Sequence, residues 1–205
     1  MEERVAIFID GSNLYHALEY NFRRHDLNYT GFISKLCGSR PLFRTYYYNV
    51  LQDQSKRPDT PKVQQEFLDI LQRTPYLEAR LGGTKLSQGI SVEKGIDIML
   101  ATDLICYAWN DFYDIAILVS GDSDFAYALQ SIKNIGKYVE VAYFENVVSK
   151  DLLDVADNRH LLNRSFFTGL WASQRHTKRR RTGPRIRSQP NQIATVSSET
   201  TMSLE

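Results

Sequence analysis

Apolar residues in this chain occur in short continuous runs, each followed by an amphipathic segment. Two of the runs, residues 5–9 (Val-Ala-Ile-Phe-Ile) and residues 115–119 (Ile-Ala-Ile-Leu-Val), contain no polar side chain. Such runs are typical of strands that are buried on both faces, as in a parallel sheet. Small polar residues follow each run, and apolar residues at helical spacing come next. The pattern therefore predicts a strand, a turn and a helix in both places.

The same alternation continues through most of the chain. Further strands are predicted at residues 43–50, 76–81, 138–143 and, as a short edge strand, 161–167. Helices are predicted after Asn13 and at residues 32–36, 60–71, 93–109, 125–134 and 150–156, and residues 82–89 are predicted to form a polar loop. Strands that alternate with helices indicate an α/β fold, a three-layer α/β/α sandwich with a central, mainly parallel sheet.

Composition narrows the class of protein. The chain has 205 residues, and 42% of them are apolar, which is ample for a core. We find no apolar run long enough to cross a bilayer and no signal-peptide pattern. The two cysteines form no CxxC motif, so the sequence predicts no disulfide framework. We therefore expect a cytoplasmic protein, in a reducing compartment, and we expect it not to associate with a membrane.

Charge is distributed unevenly along the chain. Residues 173–205 contain seven Lys and Arg against two Glu, a net charge of +5, whereas residues 1–172 carry a net charge of −4. The apolar periodicity stops at Ser173, and a basic stretch, Arg175 to Arg187, gives way to a segment rich in Ser and Thr. We predict one folded domain over residues 1–172 and a disordered tail over residues 173–205.

Aspartates follow both of the buried strands. Asp10 ends the first strand, and Asp122 and Asp124 lie in the turn after the strand at residues 115–119. Ligands of open α/β sheets bind at the carboxyl ends of the strands, where these residues are expected to meet. Carboxylates that lie close together repel one another unless a cation lies between them. The alternative is helix capping, which would explain a single Asp or Ser at such a position.

A fourth aspartate, Asp97, lies between Ile96 and Ile98 in the first turn of the helix predicted at residues 93–109. It could reach the strand ends from this neighbouring helix, or it could form a surface pair with Lys94, three residues earlier. Four carboxylates favour Mg²⁺ or Mn²⁺, which are hard cations. The four histidines are scattered, and neither a zinc motif nor a nucleotide-binding glycine loop is present, so no nucleotide cofactor is expected.

Four motifs in this order resemble those of the NYN domain, in particular its LabA-like branch within the PIN-like nuclease group. They are residues 8–13 (Phe-Ile-Asp-Gly-Ser-Asn), 94–97 (Lys-Gly-Ile-Asp), 119–125 (Val-Ser-Gly-Asp-Ser-Asp-Phe) and 152–157 (Leu-Leu-Asp-Val-Ala-Asp). The resemblance covers residues 4 to about 165 and implies an α/β/α sandwich with a metal-dependent ribonuclease site. The implied activity is that of an endoribonuclease that hydrolyses phosphodiester bonds of RNA.

The resemblance also implies roles for individual residues. The aspartates implied to be catalytic and to bind Mg²⁺ or Mn²⁺ are Asp10, Asp97, Asp122 and Asp124. The residues expected to position the substrate are Ser12, Asn13, Lys94 and Ser120. Asp157 matches a late aspartate of the family, and its role stays open.

An acidic cleft repels RNA, so basic groups must supply part of the affinity. The stretch from Arg175 to Arg187 is one candidate, and it could equally be a solubilising or localisation tail. Tyr46 to Tyr48 could offer a stacking surface for bases, or their rings could lie alternately in the core of a strand. We expect RNA as a partner and leave a homodimer open.

Two other functions fit the same residues. One is a catalytically weak RNA-binding or regulatory module that keeps the aspartates for metal or structure and acts through a partner. The other is a phosphatase with Asp10 as nucleophile. That chemistry usually needs a second acid two residues later, where this chain has Ser12.

Overall fold

The structure is a computed structural model that describes residues 2–50, 60–82, 84–87, 90–93 and 95–173. The strands are β1 (Val5–Asp10), β2 (Leu42–Val50), β3 (Leu77–Gly82), β4 (Thr84–Ser87), β5 (Ile90–Glu93), β6 (Ile115–Val119), β7 (Tyr138–Tyr143) and β8 (Asn158–Leu161). The helices are α1 (Gly11–Phe22), α2 (Tyr29–Cys37), α3 (Thr60–Arg73), α4 (Ile96–Trp109), α5 (Ala126–Asn134) and α6 (Lys150–Val155). A 3₁₀ turn, Ser123–Phe125, precedes α5.

Six strands form the central sheet in the order β3-β2-β1-β6-β7-β8, and every neighbouring pair is parallel. The two strands predicted to be buried on both faces, β1 and β6, lie side by side at its centre, with Ile9 opposite Val119. This confirms the α/β fold with a mainly parallel sheet. Among the described residues, no helix combines the length and the apolar character that a membrane span requires.

Side chains alternate along β1 and build a core on each face of the sheet. Val5, Ile7 and Ile9 pack with α1 and α2 on one face, whereas Ala6 and Phe8 pack with α4 and α5 on the other. Period-two alternation continues to the end of the strand, so Asp10 shares the face of Ala6 and Phe8, which α4 covers. This register decides which helix can contribute to a site at the strand ends.

Two predicted segments differ from the structure. The segment predicted as a polar loop, residues 82–89, contains β4, which forms an antiparallel hairpin with β5 directly after that segment, from Thr84 opposite Glu93 to Ser87 opposite Ile90. Leu86, Ile90 and Val92 are good strand formers, and the prediction gave more weight to the glycines around them. The edge strand ends at Leu161 and begins three residues before the predicted segment.

The tyrosine run in β2 is buried, which confirms the alternative that places its rings in the core and excludes a stacking surface for bases. Tyr46, Tyr47 and Tyr48 are only 4%, 1% and 1% exposed. Tyr46 and Tyr48 contribute to the core under α4, and Tyr47 contributes to the core under α1. The rings alternate between two cores because helices cover both faces of a central strand.

Candidate active site at the carboxyl ends of β1 and β6

A cavity of about 280 Å³ opens at the carboxyl edge of the sheet, next to the ends of β1 and β6. The described residues that line it come from the start of α1, the start of α4 and the turn after β6. They are Asp10, Ser12, Asn13, His16, Gly95, Ile96, Asp97 and Asp122. Three of the four predicted aspartates therefore share one cavity. Asp124 is exposed and is not among these lining residues.

Asp10 is the buried carboxylate of the cavity, with 7% of its surface exposed. It caps α1, since one oxygen accepts a hydrogen bond from the backbone N–H of Asn13 at 3.0 Å. The other oxygen accepts a hydrogen bond from the Ser120 hydroxyl, also at 3.0 Å. Ser120 follows β6 directly, so this bond joins the ends of the two central strands and fixes the orientation of the Asp10 carboxyl group.

Burial raises the pKa of Asp10 above its ordinary value. The hydrogen bonds from Asn13 and Ser120 act in the opposite direction, and the negative charges of Asp97 and Asp122 raise the pKa further. A neutral carboxyl group or a nearby cation relieves both the cost of burial and the repulsion between like charges. The electrostatics of the cavity therefore favour the binding of positive charge.

Asp122 holds the turn after β6 in place. Its carboxylate caps the 3₁₀ turn by accepting a hydrogen bond from the backbone N–H of Asp124 at 3.0 Å. Its own backbone N–H donates to Ser120 Oγ at 3.2 Å. The capping explanation for the aspartates thus holds for both Asp10 and Asp122. It does not exclude a role in the cavity, because both residues line it as well.

Asn13 connects the two strand ends a second time. Its side-chain oxygen accepts a hydrogen bond from the backbone N–H of Gly121 at 3.2 Å. Gly121 has no room for a side chain, since a Cβ there would lie 2.4 Å from the carbonyl oxygen of Val147. The loop between β7 and α6 therefore lies directly against the turn that carries Asp122.

A second, wider groove of about 520 Å³ extends the site along this loop. It shares Asn13 and Asp122 with the first cavity and continues toward α6. The other described residues that line it are uncharged: Gly121, Ser123, Asn146, Val147, Val148 and Ser149. An extended ligand could thus run from the acidic cavity into a neutral, polar groove.

Two of the remaining predicted residues, Asp97 and Ser12, also line the cavity. Asp97 lies in the first turn of α4 and lines the cavity with Asp122, while its predicted partner Lys94 lies outside the described residues. Ser12 lines the cavity beside Asn13.

Asp157 lies at the opposite, amino edge of the sheet. There it accepts a hydrogen bond from the Val139 N–H at 2.8 Å and pairs with Lys133 at 2.7 Å, which makes it a structural residue.

His16 is a lining residue that the sequence reasoning missed, because it classed the histidines as scattered. It is exposed and lies on α1 three residues after Asn13. Residues three apart on a helix share a face, so the spacing of Asn13 and His16 was a signal that could have placed both at one cavity.

The lining residues offer oxygen ligands but no complete protein cage for a metal. Within residues 2–50, 64–82 and 95–173, no three His, Cys, Asp or Glu side chains lie close enough together to hold a metal ion. Mg²⁺ usually keeps several water molecules and binds through one or two carboxylates together with substrate phosphates. Asp10, Asp97 and Asp122 fit that mode of binding, and the four-aspartate metal site stays a prediction.

Comparison with known proteins places the chain in a family. The model of the NYN domain family matches residues 4–163. The chain belongs to the NYN domain family. It is 28% identical over 181 residues to the low amplitude and bright protein LabA of Synechococcus elongatus, an alignment that covers 80% of this chain and 87% of LabA. The crystal structure of a Vibrio parahaemolyticus protein of unknown function matches with a TM-score of 0.67 and 25% identity, covering 80% of this chain and 96% of that one.

Membership of the NYN family indicates a nuclease-like function related to RNA, and NYN and PIN-like nuclease domains generally use divalent metals. Three of the four motifs that carried the resemblance, around Asp10, Asp97 and Asp122, contribute residues to the cavity. The fourth motif ends at Asp157 and supports the sheet from its other edge.

Proposed function

We propose that this protein is a Mg²⁺- or Mn²⁺-dependent endoribonuclease that hydrolyses phosphodiester bonds of RNA at the cavity of Asp10, Asp97 and Asp122. The observation that carries the proposal is the state of Asp10. Its carboxyl group is held by two hydrogen bonds, and its pKa is raised mainly by burial and further by the charges of Asp97 and Asp122. A fold that needed only a helix cap would have no reason to bring two further carboxylates to this one.

In the proposed cation site, one or two of the carboxylates of Asp10, Asp97 and Asp122 bind the ion together with water and a substrate phosphate. Asp124, the fourth predicted aspartate, lies in the turn after β6 and outside the cavity lining. A divalent cation bound there would supply an activated water and stabilise the negative charge on the leaving oxygen. Carboxylate oxygens suit hard cations such as Mg²⁺ and Mn²⁺, and the donor count suits an ion that keeps part of its water shell. Asp10 contributes a carboxylate whose direction is already set by Asn13 and Ser120.

Neutral residues around the carboxylates would bind and orient the phosphate. The Ser12 hydroxyl and the Asn13 amide line the cavity and can donate to phosphate oxygens without adding charge. Ser120 donates to Asp10 and accepts from the Asp122 N–H, so its role is to position these two residues. Lys94, which lies three residues before Asp97 in the sequence and outside the described residues, is proposed to contact a phosphate or to pair with Asp97.

The test is incubation of the full chain with a labelled single-stranded RNA in Mn²⁺, in Mg²⁺ and in chelator. We expect cleavage in either metal and none in chelator. Asp10→Asn and Asp122→Asn should each reduce the rate by at least about a hundredfold, since each removes a charge that the reaction needs. Asp154→Asn is the matched control, because Asp154 is an exposed aspartate on α6 that lies outside both lining sets.

The alternative is a regulatory RNA-binding module of the same fold with little turnover. RNA that is bound but not cut in Mn²⁺, by protein of undiminished thermal stability, would establish that alternative and overturn the nuclease. If Asp122→Asn cleaves RNA at the same rate as Asp154→Asn, the cleavage comes from a contaminating ribonuclease, and the proposed nuclease function is refuted.

A further inference from the structure

Beside the cavity, three aromatic rings form a row on and near the outer face of α1. The Tyr15 and His25 rings are stacked, with centroids 4.1 Å apart and planes within 7° of parallel. The ring of His16 meets Tyr15 edge-on, at 5.6 Å between centroids and 84° between planes. His16 in turn lines the acidic cavity. We name His16, Tyr15 and His25 the aromatic ridge; it leads from the cavity onto the open surface.

The fold makes little use of these rings. Tyr15 is 48% exposed, His16 is exposed, and neither residue belongs to the two apolar cores of the described part of the chain. The ridge is nevertheless ordered by contacts of its own. The His25 ring stacks on Tyr15 on one side and pairs through Nε2 with the Glu19 carboxylate at 2.8 Å. The negative charge of Glu19 is shared with Arg23 at 3.2 Å.

We propose that the aromatic ridge is a stacking site for the unpaired bases of single-stranded RNA whose phosphate enters the cavity. The inference rests on the proposed nuclease function and names its substrate class. Bases stack on exposed aromatic and imidazole rings irrespective of sequence, because every base has a π-face. In an A-form duplex the bases are already stacked and paired, so they cannot reach a ridge of this kind.

The arrangement also supplies affinity that the cavity by itself lacks. Asp10, Asp97 and Asp122 repel the phosphates of RNA when no cation is bound. Stacking on a ring next to the cavity is independent of that charge. An RNA strand could therefore be held by its bases at the ridge while one phosphate lies among Ser12, Asn13 and the carboxylates.

The test is the affinity of the full chain for a fluorescently labelled single-stranded RNA and for the same sequence as a duplex, measured by anisotropy in chelator so that no cleavage occurs. Tyr15→Leu and His16→Leu should each weaken single-strand binding by about tenfold, the effect expected from loss of one stacked base. Duplex binding should not change. Tyr15→Phe keeps the ring and should bind like the unsubstituted protein.

Tyr138→Leu is the matched control, because Tyr138 is a similarly exposed tyrosine, at 55%, at the amino edge of the sheet. Equal losses for single strand and duplex, or an unchanged affinity of both Tyr15→Leu and His16→Leu, would overturn the stacking site. The result is independent of turnover. If the wild-type chain cuts no RNA but Tyr15→Leu weakens its binding of single-stranded RNA, the stacking site is supported and only the nuclease proposal is refuted.

Discussion

Asp10 and Ser120 lie at the carboxyl ends of neighbouring parallel strands, and the Ser120 hydroxyl donates a hydrogen bond to Asp10 Oδ2 at 3.0 Å. The residues are 110 positions apart in the chain. Their contact follows from the register that sets Ile9 opposite Val119, which brings the next residue of each strand together on the face covered by α4. This contact holds the central carboxylate of the site in one orientation.

We expect Asp10→Asn to stabilise the metal-free protein at neutral pH. The pKa of Asp10 is raised in the folded state, mainly by burial, so its ionised form opposes folding. The contribution of Asp10 to stability therefore falls as the pH rises from the ordinary value of 3.8 through the raised pKa, and Asp10→Asn lacks this fall. Urea unfolding in chelator at acidic and at neutral pH measures the difference. Lower stability of Asp10→Asn at neutral pH would mean that the second carboxylate oxygen, which accepts the hydrogen bond from Ser120, outweighs the cost of the buried charge.

Two substitutions of Asp122 separate its capping role from its proposed role in metal binding. Asn can accept the hydrogen bond from the Asp124 N–H, so we expect Asp122→Asn to be at least as stable as the wild type without metal. Asp122→Ala removes the cap and should cost about 1 kcal/mol. Both variants should lose the rise in melting temperature that Mn²⁺ gives to the wild type. An undiminished rise in Asp122→Asn would place the cation elsewhere.

Glu140 should determine the stability of the protein in acid. Glu140 is buried in β7, and its two carboxylate oxygens accept hydrogen bonds from the Arg40 guanidinium at 2.6 and 3.0 Å. His160 Nε2 lies within hydrogen-bond distance of the same carboxylate, at 2.7 Å. Burial would raise the pKa of Glu140, but the bonds to His160 and Arg40 outweigh it and hold the pKa at about 2. Its stabilising effect is present above the ordinary value of 4.5 and is lost as the pH falls toward 2.

Glu140→Gln should therefore cost about 3 kcal/mol at neutral pH, because it leaves Arg40 without its charged partner. It should also flatten the fall of stability between the two pKa values. Glu145→Gln is the control, since Glu145 is an exposed residue just after the same strand. Chemical unfolding at a series of acidic pH values measures the free energy of unfolding of both variants. The same dependence of this free energy on pH in Glu140→Gln and Glu145→Gln would refute this role of Glu140.

The basic segment Arg175 to Arg187 lies outside the described residues, and its role stays a prediction. If it binds RNA through phosphates, its removal should weaken binding for all sequences and reduce the dependence of affinity on salt. Truncation should begin after Ser173, because the backbone N–H of Ser173 donates to Asp26 at 3.0 Å and belongs to the folded part. An unchanged salt dependence after removal of residues 174–205 would assign RNA affinity to the folded domain.

The sequence by itself determined the order and type of nearly all the main elements and the fold class. Short continuous apolar runs rich in β-branched residues are typical of strands buried on both faces, and their alternation with helices favours a parallel sheet. The β4–β5 hairpin was missed because the glycines at residues 82, 83 and 89 were given more weight than the strand formers Leu86, Ile90 and Val92. Strand ends in the sequence predicted that Asp10, Asp122 and Asp124 meet, and the family resemblance added Asp97. The structure brings Asp10, Asp97 and Asp122 to one cavity, and Asp124 is not among its lining residues.

Only the tertiary structure decided which side chains meet. Strand register joins Asp10 to Ser120, and burial raises the pKa of Asp10, with a further contribution from the charges of Asp97 and Asp122. Packing also buries Tyr46 to Tyr48 in the two cores and stacks the rings of Tyr15 and His25 near the cavity. The linear sequence specifies what each segment can form. Contacts between distant residues depend on register and on which face of the sheet each helix covers, and both are settled when the whole core packs together.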